Sequence, residues 1–410
     1  MAQPFRSALS DASRLDKLSI LPEACKQIEA GRTFPPPPMT VLTPDALQSL
    51  TLELRQGREH WKDELLKKCK PDLSPAENAL AVLKAASLSV KATLFDDLGV
   101  RTGLLDKING MLSHKQFTVA MITGGVKIGN ELKTGRTLTP DLADWTSVNV
   151  LQGVADALTE VTDVPTRLVL VADGHLHSAD AGLDARQADL FLETLQDDAR
   201  AFLGALDVVL ASPRNVLDDR WFEFVIDEIV NVREQANSNE DFRAQLASQA
   251  DSLVSSVNLR ARGWSYEHTV QVFGAVGGHQ VGSIAAKDAE DLWFLAADLS
   301  VGYTANNHAV RDLGLVERVV REAVGTDLYI RASVHAKPGE PRLALAPSNS
   351  YARPYLLPMH SNGQVARKEG GELVYGPLFD LEGRYHGLKL FGFRDERKNR
   401  TRPLYYANAE

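Results

Sequence analysis

Two short apolar runs constrain this chain more than any other feature. Phe117-Thr118-Val119-Ala120-Met121-Ile122-Thr123 and Arg167-Leu168-Val169-Leu170-Val171-Ala172 are apolar and rich in β-branched residues, and they stop at Gly124-Gly125 and Asp173-Gly174. A strand that is apolar on both faces is buried on both faces, which points to a parallel sheet covered by helices. The spacing supports this. A helical pattern from about Asp141 to Thr162 separates the two runs, and a third cycle adds a helix over Asp184–Leu203 and a strand over Leu206–Leu210. Helical patterns then cover Asp218 to about Leu259 and Ala285 to about Val324, before the chain returns to the sheet at Leu328–His335 and Arg342–Ala346. Strand, helix and strand joined by short links predict an α/β fold, a Rossmann-like and mostly parallel sheet with helices on both faces.

The flanks differ in kind. Residues 1–40 form an expected arm with a short helical stretch, and Pro35-Pro36-Pro37-Pro38 make a stiff extended strap. Residues 41–113 form an expected helical subdomain. In it Thr43-Pro44-Asp45 signals one N-cap, and Ser74-Pro75-Ala76-Glu77 signals a second with a capping-box Glu. Residues 114–410 are the expected catalytic domain, ending beyond Gly363 in a Gly-rich, charged tail suited to hairpins. A net charge of −9 excludes a general nucleic-acid binder, which needs a basic surface. Cys25 and Cys69 are too few and too far apart for a disulfide framework and suit a reducing compartment. No apolar leader or membrane-length run is present, so a soluble, cytoplasmic protein is expected. Trp145, Trp221, Trp264, Phe273 and Trp293 are expected in the core.

In open α/β sheets, ligands bind beyond the carboxyl ends of the strands. The first strand runs into Gly124-Gly125-Val126-Lys127-Ile128-Gly129-Asn130, where glycines let backbone N–H groups approach an anion and Lys127 adds charge. The same pattern also describes a plain glycine turn with solvated lysines. The second strand delivers Asp173-Gly174-His175-Leu176-His177, a carboxylate followed by imidazoles, which suits proton transfer. His-x-His is also a metal-ligand spacing. The late strand delivers His335 and then Lys337, and Pro358-Met359-His360-Ser361 places another histidine in a turn.

Taken in order, these segments resemble the isocyanide (isonitrile) synthases of the pyoverdine/dityrosine biosynthesis type. That family has a Gly-Lys-Ser-Pro-Asn-like loop after a strand, and here stands Gly125-Val126-Lys127-Ile128-Gly129-Asn130. Its Leu-Pro-Asp-Leu helix start is similar to Thr139-Pro140-Asp141-Leu142, and its Asp-Gly-(Arg/His)-x-Phe to Asp173-Gly174-His175-Leu176-His177. Its Ile-Arg-Leu-Ser-Ile-His resembles Ile330-Arg331-Ala332-Ser333-Val334-His335, and its Pro-Trp-His-Gly turn resembles Pro358-Met359-His360-Ser361. The resemblance implies a Rossmann-like fold in an enzyme of secondary metabolism. The α-amine of an amino acid (tyrosine, tryptophan or another) would combine with C2 of ribulose 5-phosphate, which becomes the isocyanide carbon. It implies no metal and no organic cofactor, and a downstream oxygenase acting on the isocyanide as a partner. Asp173, His175, His335 and His360 would then share the proton transfers. Gly124, Gly125, Lys127 and Asn130 would bind phosphate, and Arg331 or Lys337 would pair with a substrate carboxylate or phosphate. Two other readings stand beside it: a metal-dependent hydrolase using Asp173, His175, His177 and His335, and an inactive Rossmann-like core serving as an interaction platform.

Overall fold

The structure, a computed structural model, describes residues 38–87, 95, 97–123, 139–176, 185–248, 289–333, 340–345, 365–369, 372–376 and 387–408. The two apolar runs are strands β2 (Phe117–Thr123) and β3 (Thr166–Ala172), joined by helix α4 (Leu142–Thr162). A second cycle supplies α5 (Ala185–Asp198), which widens into a π turn over Ala199–Leu203, and β4 (Val208–Ala211). Then follow α6 (Asp219–Ser238), α7 (Ala289–Asp312), α8 (Leu315–Val324) and β5 (Ile330–Ser333). All four strands are parallel, in the order β4-β3-β2-β5, as a Rossmann-like α/β fold requires.

Alternation along the strands explains why both faces are apolar. Val119, Met121, Leu168 and Leu170 point to the side packed by α4 and α5, whereas Ala120, Val169 and Val171 face α6, α7 and α8. The helix expected over Ala285–Val324 is two helices, because Gly314 adopts a left-handed φ of 57° that breaks the path between α7 and α8. The segment 342–345 makes isolated bridges, Ser333 with Arg342 and Ser87 with Leu343, instead of a strand. It changes partner after one residue, so no ladder can propagate.

The first two N-terminal helices begin where their caps predict. Helix α1 (Pro44–Leu66) starts at Thr43, whose hydroxyl accepts from the Ala46 N–H at 3.2 Å. Helix α2 (Pro75–Ala85) starts at the Ser74/Glu77 capping box, and α3 (Leu98–Ser113) at Asp97. Their apolar faces join the same core as α4 and the sheet. Helix α1 crosses α4 closely at Gly153, where an added Cβ would lie 3.1 Å from Trp61 Cδ1. The Asn149 side chain donates to the Leu54 carbonyl at 2.6 Å in the same crossing. Gly153→Val is therefore expected to destabilise by about 1 kcal/mol, as overpacking outweighs the loss of a helical glycine. A urea midpoint unchanged from the parent would contradict this packing account.

The tail, joined by a short strand at its edge, forms a second sheet: β1 (Met39–Val41), β8 (Leu388–Asp395), β9 (Arg400–Asn408), β6 (Val365–Glu369) and β7 (Glu372–Gly376), in that order. Hairpins β6/β7 and β8/β9 are antiparallel, as the sequence suggests. The added strand β1 had no signal of its own and pairs parallel with β8. Phe393 and Leu404 carry this sheet into the main core, where Phe393 and Phe202 pack around Trp145. Trp145 and Trp221 are buried as expected, while the side chains of Trp264, Phe273 and Trp293 lie outside what is described. Among the described residues no helix is long and apolar enough to cross a membrane.

Candidate functional site

The strand order places a switch point at β2. The chain steps from β2 to β3 to β4 in one direction and returns to β5 on the opposite side of β2. In such sheets the crevice beyond the carboxyl ends at the reversal is where ligands bind. The ends are level, since Thr123 pairs with Ala172 and Ile122 with Ser333. With strands about 4.8 Å apart, three chain segments leave the sheet within about 10 Å of each other. Asp173 follows Ala172 directly. Gly124, Gly125, Lys127 and Asn130 follow Thr123, and His335 and Lys337 follow Ser333. These last six residues, with His177 and His360, lie outside the described residues.

Beyond β3 the chain turns at once. Asp173–His175 form one 3-10 turn, closed by the Leu176 N–H donating to the Asp173 carbonyl at 2.9 Å, with Gly174 buried inside it. This turn aims the His175 ring at helix α5. Its Nδ1 lies 3.2 and 3.3 Å from the two carboxylate oxygens of Asp189, a residue only 8% exposed. Asp189 also accepts from the Ser212 hydroxyl at 2.8 Å and pairs with Arg214 Nη1 at 3.4 Å. Ser212 closes the end of β4 and caps the next turn, where the Arg214 N–H donates to its oxygen at 3.3 Å. The carboxyl ends of β3 and β4 are thus tied through one carboxylate on the helix between them. Asp189, Ser212 and Arg214 of this knot line an open groove of about 440 Å³ along the edge of β4, walled further by Leu192 and Glu193 of α5 and by Glu322 of α8. Its floor is guarded by Gln196, whose amide accepts from the Leu210 N–H at 2.8 Å, so the edge strand does not present a bare ladder.

Arg331 stands on β5 opposite Ala120, on the face packed by α8. Its Nε lies 3.1 Å from Glu340 Oε1. A substrate anion at this position would compete with Glu340. Nearby, burial and the hydrogen bond to Glu317 push the Tyr329 hydroxyl well above the usual tyrosine range.

The start of α4 packs against the end of α5 and the second sheet. Asp141 caps it, accepting from the Ala143 N–H at 2.8 Å, and Asp144 accepts from the Asp141 N–H at 2.9 Å. Both carboxylates are buried, so the positive end of this helix is already covered by negative charge. A phosphate at the rim would rely on the glycine–lysine segment ahead of the helix. The carbonyl of Pro140, just before the Asp141 cap, accepts from Arg402 Nη2 at 3.2 Å.

Asp189, Ser212 and Asp198 are the residues that sequence reasoning missed. A signal for two of them exists in α5. Ala188, Phe191, Leu192, Leu195 and Ala199 form its buried stripe, and Asp189 and Asp198 stand on that stripe. A carboxylate on the apolar face of an amphipathic helix must have a buried partner.

No protein-family model matches the chain, and no curated protein matches it. Among solved structures, the crystal structure of the PvcA protein from Pseudomonas aeruginosa is similar, with a TM-score of 0.54 and 13% identity. The match covers 82% of this chain and 100% of that one. At this identity the likeness is one of fold: the chain shares the α/β architecture of PvcA over that protein's whole length.

Proposed function

We propose that the chain is an isocyanide synthase-like enzyme. In this reading it joins the α-amine of an amino acid to C2 of ribulose 5-phosphate and retains that carbon in an isocyanide, without a metal or organic cofactor. The observation that carries the reading is the level ending of β3, β2 and β5, from which three of the collinear motif segments leave the sheet side by side. The likeness to PvcA supports it at the level of an isocyanide synthase-like fold.

The first step asks for chemistry that this rim suits. The amine nitrogen attacks the C2 carbonyl, a C–N bond forms, and the carbonyl π pair moves to oxygen. The proton shed by nitrogen passes to His175, and a proton reaches the new alkoxide to give a carbinolamine. His175 then returns its proton to the departing hydroxyl, which leaves as water and yields an iminium ion; release of the remaining N–H proton to solvent, balancing the solvent proton taken up by the alkoxide, gives the imine. Imidazole performs both transfers because it exchanges protons near neutrality. Asp173, His335 and His360 share the later proton transfers. Lys127, Lys337, Asn130 and the backbone of Gly124 and Gly125 would hold the phosphate.

The test is direct. Protein incubated with single amino acids and C2-labelled ribulose 5-phosphate is expected to give labelled isocyanide, captured with a tetrazine. His175→Ala is expected to lower the yield rate about 100-fold, the usual loss of a general acid–base group. Folded protein that transfers no label to any amino acid would end the proposal.

A further inference from the structure

We infer that Asp189 is the positioning residue of this centre, fixing the proton of the neutral His175 ring on Nδ1 and so directing Nε2 to the substrate. The inference rests on the proton-transfer role proposed for His175. Its geometry is independent of which amine is used.

A carboxylate only accepts hydrogen bonds, so the ring nitrogen that faces it must be a donor. Both oxygens of Asp189 lie within 3.3 Å of Nδ1. The carboxylate itself is held from two further directions, by the Ser212 hydroxyl at 2.8 Å and by Arg214 at 3.4 Å. Those two groups belong to the segment after β4, whereas His175 belongs to the turn after β3 and Asp189 to the helix between them. Asp189 therefore takes its place from one strand end and imposes orientation on the other. An imidazole held in this way presents Nε2 as the base, and the imidazolium formed after it takes a proton lies against a negative charge. Because Arg214 is also shared with Glu193 at 3.2 Å, the support extends along the β4 groove.

A purely structural carboxylate would tie α5 to the two strand ends and leave the ring's proton undetermined. Nuclear magnetic resonance distinguishes the two. In protein labelled with ¹⁵N-histidine, the His175 signals are assigned by their loss in His175→Gln. The neutral ring of the parent is expected as the Nδ1–H tautomer. In Asp189→Asn the single amide oxygen is claimed by Ser212 and Arg214, so the amide NH₂ faces Nδ1 and the proton is expected to move to Nε2. In the labelled-isocyanide assay the same variant is expected to lose about 100-fold in kcat with little change in KM, since a misplaced proton spoils the chemical step and not binding. A parent ring found as the Nε2–H tautomer overturns the inference, and this measurement does not depend on any change at Asp189. So does an Asp189→Asn protein that keeps both the Nδ1–H tautomer and its kcat. Should the parent make no isocyanide at all while the tautomer behaves as described, the proposed reaction falls and the role of Asp189 stands.

Discussion

Arg402→Ala is expected to lower stability by about 3–5 kcal/mol, the cost of leaving buried carboxylates without their cation. Arg402 is fully buried, and so are the carboxylates of Asp198 and Asp395 beside it. Its Nη2 lies 2.5 Å from Asp198 and its Nη1 2.9 Å from Asp395. Arg397 completes a balanced set of two cations and two anions, reaching Asp198 at 2.7 Å and Asp395 at 3.2 Å. Trp145 donates its indole N–H to Asp198 at 3.0 Å, and Arg402 stacks over Phe393 at 5.1 Å. These contacts join α4, α5 and the β8–β9 hairpin, so the loss would fall on the seam between the two sheets. It would also release the Pro140 carbonyl just ahead of α4. Denaturant midpoints measure the effect. If charge without a partner is the cause, then adding Asp198→Asn and Asp395→Asn to Arg402→Met should recover much of the loss. A shift below about 1 kcal/mol for Arg402→Ala, the range of an exposed pair, would contradict the account.

The same network gives the protein an acid-sensitive element. Burial pushes the Asp395 carboxyl up, but the hydrogen bond from Arg402 and the charges of Arg397 and Arg402 outweigh it, so its pKa is held below the usual value. A depressed folded-state pKa contributes stability in full above the unfolded-state value near 4. That contribution is lost as pH falls from there through the folded-state pKa. Arg402→Ala removes it, so the stability difference between parent and variant should narrow in acid.

How much of this was legible beforehand depends on where each signal resides. The parallel sheet was readable because burial on both faces leaves an unbroken apolar run, as in Leu168 to Val171 of β3 and in Val119 to Met121 of β2. Helix starts at Thr43 and Ser74 were readable because a cap satisfies its backbone within three residues. Strand β1 was not, since three residues next to prolines gain their conformation only from β8, at the far end of the chain. The candidate site divides in the same way. Asp173 and His175 follow from the rule that strand ends carry chemistry. Asp189 and Ser212 acquire meaning only when α5 and the end of β4 are folded against the His175 turn. Arg402 looks like one more charge in a charged tail, and only the fold shows it enclosed by Asp198 and Asp395.

Gly392→Ala is expected to cost about 3 kcal/mol, at the upper end for an added methyl group, because two of its neighbours leave no room. A Cβ built at Gly392 would sit 2.2 Å from Met39 Sδ and 2.3 Å from the Arg402 carbonyl oxygen. The φ of this glycine is not in the left-handed region, so the demand is for space and not for conformational freedom. It lies where three strands meet: β1 pairs Val41 with Gly392, the ladder to β9 shifts register at Phe391/Gly392, and the Leu42 N–H donates to the Gly392 carbonyl at 2.8 Å. The two clashes differ in how they relax. The Met39 side chain can change rotamer, whereas the Arg402 carbonyl moves only with the β9 backbone, and that displaces the guanidinium from Asp198 and Asp395. Met39→Ala placed in the Gly392→Ala background should therefore restore only a minor part of the stability. Near-complete rescue would mean that the sulfur contact alone excludes a side chain here, and that β9 tolerates movement which the buried charges ought to resist.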